Sequence, residues 1–333
     1  MKAVLMTAAG EAEVLKTADL PVPALPTPSH IRVRLHAAGV NPVDTKLRKN
    51  GTYHPDKLPT VLGCDGAGVV ETVGTAVTRF KPGDEVYFFN GGIGAEQGNY
   101  AEYTVIHEDY AAAKPRNLSM AEAAAVPLVL ITAWESLFDR AGLMSGQAVL
   151  VHAAAGGVGH VAVQLARHVG ARVAATVSGA EKTEFVRMLG ADRLIDYAAE
   201  DFVKAALNWT AGQGVDVVLD TVGGDTFCRS FAAARVYGKL VTLLQPACGA
   251  DAMKLARVRN QSIHLELMLT PEHLGMHDAR VAQRRILEQG ARLIEEGKLK
   301  IKVSRTFPLE RAAEAHRFLE AGHMIGKVVL EIE

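Results

Sequence analysis

Cysteine is scarce: the 333 residues hold only Cys64, Cys228 and Cys248, and no two stand in a Cys-x-x-Cys spacing. So few thiols argue against a disulfide framework and against a four-cysteine structural zinc site, and they suit a reducing, cytoplasmic compartment. Charge of one sign is also missing. Lys and Arg number 36 against 37 Asp and Glu, a formal net charge of −1, with no basic stripe to meet nucleic acid or an anionic membrane. Long apolar runs are absent too. The longest, Ala123 to Trp134, is broken by Pro127 and falls short of the ~20 residues a membrane span requires. The N-terminus reaches Glu11 before any apolar segment of useful length forms, so it does not read as a targeting signal.

What is present is an organisation in two textures. At ~150 residues per domain the length suggests about two domains. The first 120 or so residues carry short β-like runs between Gly and Pro turns, such as Ile31-Arg-Val-Arg-Leu35, Gly68-Val-Val-Glu-Thr-Val73 and the turn Lys81-Pro-Gly-Asp84. Strands that short and that close predict a small, partly open β-barrel. From Ala123 to about Met268, apolar strands alternate with helical segments: Ala148–Val151, Arg172–Val177, Leu194–Tyr197, Val215–Asp220, Lys239–Leu244 and Ser262–Leu267. Continuous apolar strands between helices predict a doubly wound parallel sheet covered on both faces. Helical spacing is clearest at Val158, Val161, Ala162, Leu165 and Ala166, and at Ala279, Ala282, Ile286 and Leu293. The tail returns to the first texture with Ile301–Ser304, a helix from about Leu309 to Leu319, and a closing Lys327–Ile332 strand. The expected fold class is α/β, with a discontinuous first domain over residues 1–122 and 270–333 and a doubly wound second domain over 123–269. Neither a repeat nor a low-complexity stretch is seen.

The strongest chemical signal runs from Val149 through Ala155-Gly156-Gly157-Val158-Gly159 into an amphipathic helix. Glycines let backbone approach a pyrophosphate, and the N–H groups and dipole of a helix start supply the positive end that binds it. The pattern is incomplete, because Ala154 stands where the first glycine would be. About 20 residues on, where an acidic residue would bind the ribose of NAD, the chain has Thr176-Val-Ser178-Gly-Ala-Glu181-Lys182. Without a carboxylate at the strand end, a 2′-phosphate is not repelled, and Ser178, Lys182 and Tyr197 can bind it, which points to NADP(H). Ser178-x-x-Glu181 is also a capping box, and one serine can serve both ends.

Over essentially the full chain these residues resemble the medium-chain dehydrogenase/reductase superfamily, in its zinc-less quinone oxidoreductase (zeta-crystallin-like) branch. The stretches that carry the resemblance are Ala37–Asp44, Gly63-Cys-Asp-Gly-Ala-Gly68, Val73–Val86, Asn99-Tyr-Ala-Glu-Tyr103 and Ala124–Trp134. With them go the glycine loop, Asp220-Thr-Val-Gly-Gly224, Phe307-Pro-Leu-Glu310 and Gly326-Lys-Val-Val-Leu330. The resemblance implies a GroES-like catalytic domain beside a Rossmann domain, an active site between them, and a homodimer joined partly through Ser262–Met268. It further implies that the catalytic residues are Asn41 and Asp44, at the nicotinamide end of the cleft, and Tyr53, lining the acceptor pocket, and that Thr132, Val222 and Leu244 contact the cofactor.

Relatives in that superfamily hold zinc, and this chain departs from them at the ligand positions. Where they carry cysteine this chain has Asn41, and where they carry His-Glu it has Cys64-Asp65. A lone thiol beside a carboxylate does not hold zinc, which needs three converging ligands and an open position. No metal is assigned, and Cys64 reads as a small buried residue. The implied reaction is metal-free hydride transfer from NADPH to a quinone or α,β-unsaturated carbonyl, whose developing charge delocalises into a hydroquinone anion or enolate. Two alternatives remain, a zinc-independent alcohol or aldehyde reductase and a non-catalytic NADPH-binding protein. Lys46 stands where some quinone reductases carry tyrosine, and Leu244-Gln245-Pro246 replaces a glycine near the nicotinamide, so substrate choice is expected to differ.

Overall fold

The chain opens with an antiparallel pair, β1 (Lys2–Met6) and β2 (Leu15–Asp19), followed by a long strand, β3 (His30–Val40). In β3 the alternation seen in sequence becomes a buried face, with Ile31, Val33 and Leu35 all fully inaccessible. Helix α1 (Pro42–Asn50) follows at once, and then β4 (Thr60–Val61), β5 (Asp65–Val73), β6 (Glu85–Phe89), β7 (Tyr103–His107) and β8 (Ala111–Ala113). The pairing of β3 with β5 slips at Arg32/Val33 and at Leu35/Ala37. Such irregularities bend and coil a sheet. At Gly68 the strands approach so closely that a Cβ would sit 2.1 Å from the carbonyl oxygen of Arg34.

After α2 (Met120–Ala124) and α3 (Pro127–Trp134) the chain enters a regular βα alternation: β9 (Ala148–Val151), α4 (Gly157–His168), β10 (Arg172–Val177), α5 (Ala180–Met188) and β11 (Arg193–Asp196). It continues with α6 (Phe202–Trp209), β12 (Val215–Asp220), α7 (Gly224–Ala233), β13 (Ala234–Thr242), α8 (Ala250–Val258) and β14 (Ser262–Leu265). These six strands form one parallel sheet in the order β11-β10-β9-β12-β13-β14. Numbered within the sheet, that is 3-2-1-4-5-6, the doubly wound order of the Rossmann fold. All four residues of β9 are buried, as a central strand covered on both faces requires. The chain ends with α9 (Thr270–His273), α10 (His277–Glu295), β15 (Val303–Pro308), α11 (Ala312–Ala321) and β16 (Lys327–Glu331), which pairs with β3.

The computed structural model describes residues 1–333 and divides into two units, residues 1–131 with 269–333 and residues 132–268. The first contains the seven-stranded sheet β15-β16-β3-β5-β6-β8, with β7 also on β3, and the three-stranded sheet β2-β1-β4. The second contains the parallel sheet. The division falls later than residue 122. Leu128 N–H donates to Asp65 Oδ1 at 2.8 Å, and the Leu130 side chain fills the space a Cβ on Gly290 would need, which keeps Ala123–Ile131 with the first unit. Strand β13 begins earlier than expected, because Ala234 already pairs with Val215 before the ladder shifts.

One expectation is overturned. Cys228 on α7 and Cys248 just before α8 form a disulfide, with Cα atoms 5.4 Å apart across 20 residues of sequence. Helices α7 and α8 pack together, so the return of β13 brings the two thiols side by side. Only Cys64 is free, and it is buried.

Candidate active site and cofactor-binding turn

In the second unit β9 runs through His152 and Ala153 into Gly156, the N-cap of α4. No side chain caps this helix. Its first-turn N–H groups and the positive end of its dipole are thus offered to an anion. Ala153 takes the left-handed conformation, with φ 49°, whereas Ala154 does not, so the missing first glycine is not needed at Ala154. Gly159 is indispensable in shape: a Cβ there would lie 2.4 Å from Ala153 O and 2.7 Å from Ala154 Cα. The turn is fixed from outside as well. Thr176 Oγ1 accepts from Ala153 N–H at 3.1 Å and meets His152 Nδ1 at 3.2 Å, while His152 Nε2 meets Ser230 Oγ on α7 at 2.9 Å. Burial drives the pKa of His152 down to about 4, against the pull of Asp220, so the ring is a neutral strut.

At the end of β10 the serine does not cap. Gly179 is the N-cap of α5, and Ser178 Oγ instead accepts from Tyr197 O–H at 3.0 Å. Lys182, in the first turn of α5, is half-buried. On the other side of β9, Asp220 receives Val222 N–H and Gly223 N–H at 3.1 and 3.0 Å and the Thr242 hydroxyl at 2.7 Å. Val222 is thereby held outward and exposed, and the Leu244 side chain packs over Gly223. Thr132 is buried.

In the first unit, Asn41 and Asp44 are brought together but are fully buried. Asn41 is the N-cap of α1 in a capping box with Asp44, which receives the Asn41 N–H at 2.8 Å. Asn41 Nδ2 donates to Asp65 Oδ2 at 2.9 Å, and Lys327 Nζ donates to Asn41 Oδ1, to Val40 O at 3.3 Å and to Asp65 Oδ2 at 3.4 Å. Asp44 also receives Tyr100 O–H at 3.1 Å and the Cys64 thiol at 3.6 Å, and Tyr100 meets His316 Nε2 at 3.2 Å. These residues do not fit zinc. The lysine ammonium already stands against the oxygens of Asn41 and Asp65, and burial, with the nearby Asp44, pushes the Cys64 thiol up, away from the thiolate a ligand must be. Tyr53 lies apart from this hub, half-exposed, its ring 4.6 Å from that of His273. Lys46 is exposed on α1.

Sequence reading missed Lys327, Tyr100, His316, His152 and His273. The signal for Lys327 was a lone cation in the apolar run Lys327-Val-Val-Leu330, opposite two buried carboxyls that required one.

Burial pushes the pKa of Asp44 up to about 7 and that of Glu272, on α9, up to about 8; hydrogen bonds and the Arg280 charge oppose the shifts only in part. Both carboxyls hold protons more tightly in the native state than in the unfolded chain, where they titrate near ~4. Native protein therefore binds the extra protons across that window, and stability falls as pH rises through it. Thermal unfolding is expected at a lower temperature at about pH 8.5 than at about pH 5.5, and Glu272→Gln should shrink the drop. A drop of unchanged size in the variant would mean that Glu272 is ionised in the native protein throughout.

The sequence matches the alcohol dehydrogenase GroES-like domain over residues 27–116 and the zinc-binding dehydrogenase family over residues 189–330. It is 36% identical to a quinone oxidoreductase of Pseudomonas aeruginosa, covering 99% of both chains. It is 35% identical to a chloroplastic NADPH-dependent alkenal/one oxidoreductase of Arabidopsis thaliana, over 99% of this chain and 79% of that one. Among solved structures, the Escherichia coli quinone oxidoreductase complexed with NADPH superposes with a TM-score of 0.87 at 31% identity, covering 99% of this chain and 100% of the other.

Proposed function

Because the chain belongs to the medium-chain dehydrogenase/reductase superfamily, in its quinone oxidoreductase branch, and is an NAD(P)-dependent oxidoreductase of a small molecule, we propose that it passes hydride from NADPH to a quinone or an α,β-unsaturated carbonyl, without a metal. The observation that carries the reading is the βα turn of the second unit. Uncapped N–H groups at the start of α4 stand beside a β10 end that offers hydroxyls and Lys182 in place of a carboxylate. When bound, the nicotinamide supplies the hydride.

The chain's own residues do the rest. Ala155 to Gly159 hold the pyrophosphate, and Ser178, Tyr197 and Lys182 hold the 2′-phosphate by charge-assisted hydrogen bonds. Thr132, Val222 and Leu244 orient the nicotinamide. Tyr53, half-exposed just after Gly51, donates its hydroxyl to the acceptor oxygen as charge develops there. Asn41 and Asp44 are too deeply buried to touch an acceptor, so they act as positioning residues that fix the end of β3 and the start of α1. The Leu265 and Leu267 side chains are exposed on and just after the sheet-edge strand β14, which supports a homodimer through that edge. Sedimentation at the monomer mass at micromolar concentration would remove that part.

The test is NADPH consumption across a panel of quinones and enones. Lys182→Ala should raise the KM for NADPH about tenfold and leave that for NADH unchanged. No consumption on any acceptor by folded protein overturns the reductase reading. Equal use of NADH and NADPH overturns the cofactor preference.

A further inference from the structure

The loop Leu243–Gly249 leaves β13 at the carboxyl end of the parallel sheet, the edge at which doubly wound sheets bind their ligands. Its first two residues are held: Leu243 N–H donates to Asp220 O at 3.2 Å and Leu244 N–H to Thr242 Oγ1 at 3.2 Å. Beyond them, no hydrogen bond holds Gln245 to Cys248. What ties that stretch down is the bond from Cys248 to Cys228, helped by packing of Cys248 against the core of the unit. Helix α7, which carries Cys228, starts directly after the Asp220–Gly223 turn, and its Ser230 meets His152 at the entrance to the glycine turn. The disulfide thus joins the loop bearing Leu244 to the helix that braces both turns beside it. Both cysteines are half-buried, within reach of a small reagent, whereas Cys64 is sealed.

We propose that Cys228 and Cys248 are a redox-active pair, opened by a dithiol reductant and closed by a hydroperoxide, whose state sets how firmly the chain holds its dinucleotide. In opening, a thiolate of the reductant attacks one sulfur, the other cysteine leaves as a thiolate and takes a proton, and the reductant's second thiol resolves the mixed disulfide. Two cysteine thiols and one oxidised dithiol result. In closing, one cysteine thiolate attacks a peroxide oxygen, breaking the O–O bond, and becomes a sulfenic acid while the first water leaves; the other cysteine attacks that sulfur and expels its hydroxyl as the second water, so that two thiols and one hydrogen peroxide give the disulfide and two waters. Opening frees a loop of 20 residues' separation that the bond had closed, and the loop pays the ordering entropy on every binding event. Only the effect on affinity rests on the cofactor reading above; the opening and closing of the pair do not.

The experiment uses full-length protein, air-oxidised or treated with dithiothreitol without denaturant. Alkylation and intact mass should then count two new thiols, Cys64 staying protected. Hydrogen exchange in residues 243–249 should quicken, and NADPH affinity should weaken about fivefold. Hydrogen peroxide should reverse all three in wild type. Cys228→Ser/Cys248→Ser should behave as the reduced protein and ignore peroxide. A pair that stays closed in excess dithiothreitol overturns the proposal, as does equal affinity within about twofold in both states together with unchanged exchange in the loop. If NADPH binds neither state, the cofactor reading fails, and faster exchange reversed by peroxide still establishes the pair.

Discussion

Lys327→Met is expected to destabilise the first unit by about 3–5 kcal/mol, the cost of leaving a buried charge without its partner. Lys327 and Asp65 are 3% and 0% exposed at their side chains, and the ammonium spends its three protons on Asn41, Val40 and Asp65. Methionine matches the stem and removes all three bonds. Asp65 would keep the hydrogen bonds from Asn41 and Leu128 N–H, but in an apolar interior these do not neutralise it. Urea unfolding followed by tryptophan-free probes of the first unit, such as near-UV tyrosine signals, reads the loss. Adding Asp65→Asn to Lys327→Met should recover a large part of it, because the second change deletes the orphaned charge; double-mutant coupling energies in such networks run to about 0.5–3 kcal/mol. If Lys327→Met alone loses less than about 1 kcal/mol, the pair is not the electrostatic hub of the unit.

Gly159→Ala should abolish tight dinucleotide binding. The new Cβ meets backbone at 2.4 and 2.7 Å, atoms that no rotamer change can move aside, so the start of α4 must back away from the Ala153 turn. A misplacement near 1 Å in such a site costs on the order of 100-fold. NADPH affinity by fluorescence titration gives the readout. Affinity within about twofold of wild type in Gly159→Ala would detach the turn from cofactor binding.

Sequence alone disclosed the parallel sheet well, because β9 is buried and apolar throughout and β10 and β12 carry buried apolar centres, Val173–Ala175 and Val217–Leu219. It disclosed the glycine turn for a similar reason: the constraint at Gly159 is local, set by residues five and six positions away. The polar hub was another matter. Asn41 and Asp44 read as site residues by type and motif, but their burial depends on Lys327, which arrives 286 residues after Asn41. Tyr53 was visible and its partner His273 was not, since the two stacked rings stand 220 positions apart in the sequence. The cysteine pair failed for the same cause. A spacing of 20 residues is no signature, and only the packing of α7 on α8 closes it.

The late position of Lys327 also bears on the order in which a ribosome can complete this molecule. Strands β3 and β5 to β8 emerge well before β16, so their sheet lacks that strand and Asp65 lacks its counter-ion until residue 327 has been read. Residues 132–268, by contrast, are contiguous and leave the tunnel with every strand of their sheet in hand. Since domains fold as units during synthesis, residues 132–268 are finished before the unit whose first strands precede them, and Asp65 in that unit waits for a lysine still to be translated.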